Sequence, residues 1–81
     1  MITVLRSQGL QIAIYKDDHD PPHVHVYCGG KAKIVLVGGD GRPELVKASA
    51  MTRGEIRKAL RLVTEHRARL LQVWSEIHGG R

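Results

Sequence analysis

Nine consecutive residues, Asp18-His19-Asp20-Pro21-Pro22-His23-Val24-His25-Val26, hold three of the chain's five histidines and two of its three prolines. Each proline ring fixes φ at about −65°, presses the residue before it into an extended conformation and removes a backbone donor. The stretch is therefore a stiff arm that leads into a strand, not a flexible loop. His23-Val24-His25-Val26 alternates histidine with β-branched valine, so the predicted strand carries both imidazoles on one face, their Cβ atoms roughly 7 Å apart. Two neutral imidazoles at that separation can share a metal ion, or divide the roles of acid and base on a bound substrate.

The chain on either side supplies more strands. Ile2-Thr3-Val4-Leu5 is a short β-prone run, and Leu10 to Tyr15 alternates with Leu10, Ile12 and Ile14 on one face. Gly29-Gly30 separates the histidine strand, 23–28, from a fourth run at 31–37, and glycine accepts the positive φ that tight hairpin turns demand. With those two residues as the whole loop, Cys28 faces Lys31, and His23 and His25 share a face with Ala32, Ile34 and Leu36. A one-residue change in the loop swings the histidines to the opposite face. Residues 44–48 follow a second glycine-rich turn and read as a short edge strand.

Thr52-Arg53-Gly54-Glu55 has the form of a helix capping box. Ile56, Leu60, Val63, Leu70, Trp74 and Ile77 follow at helical spacing, with Arg67 interrupting the stripe and Gly79-Gly80 as the stop. The expected fold is α+β: one domain over 1–81, with a four- to five-stranded antiparallel meander packed on one long C-terminal helix, about 53–78. Unbroken, that helix is roughly 39 Å long, against a radius of gyration of about 12 Å for a chain of this size. Its last turns then overhang the sheet, so Leu70, Trp74 and Ile77 are expected to form a partner interface, with self-association as a homodimer favoured; a break near His66 is the alternative.

Thirteen lysines and arginines against eight acidic residues give a net charge of +5, a bias towards acidic partners such as RNA, DNA or an acidic protein. Arg53, Arg57 and Arg61 recur every four residues with Lys58 beside them, a basic ridge suited to phosphate; the plainer alternative is a solvated helix face. With three aromatic residues in the chain, base stacking has little to work with, and nucleic-acid binding would be mostly electrostatic. The single cysteine, Cys28, excludes an internal disulfide and a thiolate zinc knuckle; it reads as a small buried hydrophobe in a reducing, cytoplasmic setting. The N-terminal apolar run is too short for a signal peptide or a membrane span, and no membrane partner is expected.

For chemistry, His19, His23 and His25 offer three nitrogen ligands for a divalent metal, with Asp20 or Asp18 completing the set or orienting a ring. Without a metal, His23 and His25 are the candidate catalytic pair. The plainer alternative is a rigid strand start whose imidazoles bond to nearby carboxylates and backbone.

The Asp-His-x-Pro-Pro-His-x-His run, the Gly9-led strand before it and the helix carrying Leu62-Val63, His66-Arg67, Leu70-Leu71 and Trp74 resemble a family of small bacterial proteins known as domain of unknown function 4160. The resemblance spans almost the whole chain. It implies a role in toxin–antitoxin-like pairs, hence a protein partner encoded nearby and an RNA or DNA target, and it carries over no catalytic residue. The chain departs from the family pattern at Asp20, where asparagine is usual, and at Thr64-Glu65, where many members have Glu-Trp. Two readings follow. One is a small basic cytoplasmic binding protein of a toxin–antitoxin-like pair; the other is a histidine-dependent, metal-assisted or metal-free ribonuclease or phosphodiesterase.

Overall fold

The alternation of the N-terminal half becomes five strands: β1 (Ile2–Ser7), β2 (Leu10–Ile14), β3 (His23–Cys28), β4 (Gly30–Val35) and β5 (Glu44–Ser49). They form one antiparallel sheet in the order β1-β2-β3-β4-β5, a simple meander. The structure is a computed structural model and describes residues 1–79. Leu10, Ile12 and Ile14 from β2, Val24 and Val26 from β3, and Ile34 from β4 with Leu36 beyond it are buried together against Ala59, Leu62, Val63, Leu70 and Trp74 of the helices. The fold is thus two layers: a sheet with one apolar face, and helices that cover it. Among the described residues, no helix is long and apolar enough to cross a membrane.

The hairpin between β3 and β4 corrects the expected register. Cys28 pairs with Gly30, Tyr27 with Lys31, Val26 with Ala32 and His25 with Lys33, so Gly29 alone stands between the strands, with φ of 78°. Gly30 is drawn into the sheet because the end of β5 lies almost on top of it: a Cβ there would come within 2.2 Å of the Ala50 carbonyl oxygen. No side chain fits. The one-residue change in loop length puts Val24 and Val26 with Ile34 in the core and turns the histidines to the other face.

The C-terminal third is two helices, not one. α1 (Arg53–Glu65) starts at the expected capping box: Thr52 Oγ1 accepts from the Glu55 amide and Glu55 accepts from the Thr52 amide. It ends at His66, and α2 (Arg67–Ile77) begins immediately after. Neither glycine nor proline causes the break. The Thr64 hydroxyl donates to the Leu60 carbonyl at 2.7 Å, a back-bond that competes with the helical ladder and bends helices. Arg67, the interruption in the apolar stripe, donates to the Gly41 carbonyl in the β4–β5 loop and ties the break to the sheet. Gly79 lies beyond α2; Gly80, the other half of the expected stop, lies outside the described residues.

The break removes the overhang. With two shorter helices the Cα radius of gyration is 11.6 Å and the longest principal extent 36 Å. Leu70 and Trp74, expected at a partner interface, are 0% and 4% exposed in the chain's own core, and Ile77 packs against the same cluster. The apolar stripe that looks free on one straight helix is satisfied internally by the two shorter ones.

Candidate functional site

The proline arm closes one end of the sheet and delivers Asp18 to the histidine pair. Leu36 donates its amide to the Pro22 carbonyl at 2.9 Å, and the Asp18 amide donates to the Tyr15 carbonyl at 3.1 Å, so both ends of the arm are pinned to the residues that directly follow β4 and β2. Between them the Asp20–Pro21 peptide is cis. Asp18 Oδ2 lies 3.1 Å from His23 Nε2 and 3.2 Å from His25 Nε2. One carboxylate oxygen is therefore bracketed by two imidazoles.

The two rings differ in setting. His23 is almost fully buried, at the end of the sheet that α2 covers; the Trp74 ring lies 5.1 Å from it and the His25 ring 5.3 Å. Its Nδ1 is 3.0 Å from the Pro21 carbonyl, which can only accept, so that nitrogen carries a proton. His25 is half-buried and meets Tyr15 edge-on, with centroids 4.7 Å apart. Burial pushes the His25 imidazole below its ordinary range; Asp18 pulls the other way, and the charges of His23 and Lys33 add to the lowering.

His25 also faces a groove of about 320 Å³ lined by Tyr15, Tyr27, Lys31, Lys33, Lys47 and Ser49. Register explains this lining. Across the sheet, Thr3, Ala13, His25, Lys33 and Lys47 are successive cross-strand partners, and Arg6, Gln11, Tyr27, Lys31 and Ser49 form the neighbouring row. Lys33 stands directly opposite Lys47. Like charges in that position repel, and among the described residues no carboxylate forms a salt bridge with either. The Tyr15 and Tyr27 hydroxyls are hydrogen-bonded to each other, and this bond, with burial and the nearby Tyr15 and Asp18 charges, pushes the Tyr27 phenol up to about 12.

Of the residues expected from the sequence to hold a metal, only His23 and His25 come together. His19 is exposed and outside the cluster, and the carboxylate that joins the pair is Asp18. Asp20 turns away and accepts a hydrogen bond from Trp74 Nε1 at 3.3 Å. On α1, Arg53, Arg57 and Arg61 are exposed, whereas Lys58 is half-buried and donates to the Gln8 carbonyl at 3.3 Å. Cys28 is half-buried against the core, and burial with a hydrogen bond to Glu55 pushes its thiol up, away from a reactive thiolate.

Sequence reasoning missed Lys31, Lys33, Lys47 and the tyrosine pair. Lysines alternating through β4 were a visible sign of a solvated face; which face they share with His25 depends on the register, and so on Gly30.

Comparison with curated proteins found no match, and comparison with solved structures found none. A family model described as a domain of unknown function, DUF4160, matches residues 9–75, which include the arm, the histidine strand, the basic strand β4 and nearly all of both helices. The chain belongs to the DUF4160 family.

Proposed function

We propose that this protein is a small, basic nucleic-acid-binding module that acts in the bacterial cytoplasm as one member of a toxin–antitoxin-like pair. One observation carries the reading: Lys33 directly opposes Lys47 on the open sheet face, with no carboxylate salt bridge to either among the described residues and with Lys31, Tyr15, Tyr27 and His25 around the same groove. A phosphodiester backbone relieves that repulsion, and its release of counterions drives binding. The two tyrosines supply limited stacking surface beside the charges. Arg53, Arg57 and Arg61 form a second cationic strip on the helical layer. A protein partner, encoded nearby or a second copy of the chain, meets the edge strands, where Ile2 of β1 and Val46 of β5 are exposed.

The test is fluorescence anisotropy of labelled RNA and DNA oligonucleotides against a salt series, for wild type and Lys33→Glu/Lys47→Glu. The double variant is expected to bind at least tenfold more weakly and to lose about two units of the salt slope, one per lysine. Unchanged affinity at low salt in a folded double variant would sink the reading.

A second reading, a histidine-dependent ribonuclease or phosphodiesterase, draws on His25, which reaches both the groove and Asp18. Here Asp18 orients His25, His25 takes or gives the proton at the scissile phosphate, and Lys33 faces the developing charge. His25→Ala is then expected to abolish RNA cleavage while leaving oligonucleotide binding nearly intact; if RNA stays uncleaved by wild type under all divalent-metal conditions, this reading falls.

A further inference from the structure

We propose that Asp18, His23 and His25 bind one divalent transition-metal ion of the zinc class, through Asp18 Oδ2 and the two Nε2 atoms. The geometry is close to that of a ligand shell. Ligand atoms about 2.0–2.1 Å from a tetrahedral ion lie roughly 3.3 Å from one another. Two edges of the triad are 3.1 and 3.2 Å, and all three ligand atoms lie within 4.8 Å of one another. The His25 side chain, 24% exposed, is the less enclosed of the two rings.

Proton placement points the same way. His23 uses Nδ1–H on the Pro21 carbonyl, so in its neutral form Nε2 presents a lone pair to a carboxylate oxygen that also presents lone pairs. His25 Nε2 approaches the same oxygen. That nitrogen can donate a hydrogen bond to the oxygen, so the unfavourable pair is His23 Nε2 against Asp18, and a cation among the three atoms turns that contact into coordination. The backbone carbonyl on Nδ1 is the outer partner that metal-bound histidines commonly have, fixing both tautomer and ring orientation.

The ligands are supported by packing and hydrogen bonds. Trp74 packs on His23, Tyr15 packs on His25, and the pinned arm holds Asp18. Two imidazoles and one carboxylate suit zinc and its neighbours better than calcium or magnesium, which take all-oxygen shells. Three protein ligands leave a coordination position for water or a phosphate oxygen, beside the groove that His25 lines. This deepens the nucleic-acid reading, because a metal there adds positive charge next to Lys33, but it does not depend on it.

The experiment is a zinc titration of untagged, chelator-stripped protein by competition with a chromophoric chelator, with no nucleic acid present. Its failure therefore leaves groove binding standing, and failure of groove binding leaves the metal site standing. The wild type is expected to take up one zinc per chain, while Asp18→Asn and His25→Ala each weaken binding at least about 100-fold. His19→Ala is expected to bind as wild type does. Since His23→Ala removes a buried ring and risks unfolding, imidazole NMR of the wild type provides a reading without substitution: zinc must shift the His23 and His25 signals and leave His19 in place. Substoichiometric zinc, affinity unchanged in Asp18→Asn and His25→Ala, or shifts confined to other histidines would overturn the proposal.

Discussion

Trp74 donates its indole Nε1–H to Oδ1 of Asp20, 3.3 Å away and 54 positions earlier in the chain. The bond joins the proline arm to α2, and it uses the carboxylate that the sequence offers as a metal ligand. Trp74 is buried, and this bond satisfies its N–H. Asp20→Ala is expected to cost about 1 kcal/mol of stability, and Asp20→Asn less, since the amide oxygen still accepts. Urea denaturation followed by the fluorescence of Trp74 measures both.

Leu70 separates a folding role from an interface role. Its side chain is fully buried among Trp74, Val63 and the strand residues, so Leu70→Ala is expected to lose about 2–5 kcal/mol. Sedimentation velocity of the folded variant should match wild type. A change of mass without a change in monomer stability would return Leu70 to a partner surface.

Gly30 and Gly39 form an internal comparison. A methyl group at Gly30 meets the Ala50 carbonyl oxygen at 2.2 Å, whereas nothing lies within 4 Å of one at Gly39. Gly30→Ala is expected to destabilise by about 1–3 kcal/mol through forced separation of β4 and the end of β5. Gly39→Ala should be neutral or slightly stabilising, because it restricts only the unfolded chain. Equal melting temperatures for the two variants would show that the close approach at Gly30 is absent in solution.

Tyr27 titrates late. Tyr27 is pushed up to about 12, chiefly by its hydrogen bond to Tyr15, so the fold favours the neutral phenol. That contribution to stability is complete below the ordinary value of 10.0 and is lost as pH climbs through about 12. Ultraviolet absorbance of tyrosinate should therefore show a late step in wild type, and Tyr15→Phe should bring Tyr27 down towards its ordinary value. A late step that persists in Tyr15→Phe would assign the shift to burial.

Much of the architecture is legible locally. Period-two runs mark the strands, the Thr52–Glu55 capping box marks the first helix, and two prolines in the arm make it rigid; these signals depend only on neighbours in sequence, and the sheet and the start of α1 follow them, while β4 begins at Gly30 and ends at Val35 where 31–37 was expected. The break at His66 was harder to read, because its cause is a Thr64 hydroxyl turned back on Leu60 and an Arg67 anchored to Gly41, neither of which alters the apolar spacing. The candidate site was half visible. His23 and His25 follow from alternation, but the choice of Asp18 over Asp20 and His19 depends on where the arm turns and on Trp74 claiming Asp20.

By itself the sequence determined an antiparallel meander of four to five strands, the start of the helical layer, the excess of positive charge and the proline-stiffened histidine arm, because backbone sterics and side-chain periodicity act within a few residues. Tertiary structure alone decided which face the histidines occupy, which carboxylate meets them, and that Lys33 opposes Lys47. The first and last turn on a single-residue register, set where β5 crosses Gly30 at a distance that excludes even one methyl group, and the choice of carboxylate on Trp74 claiming Asp20.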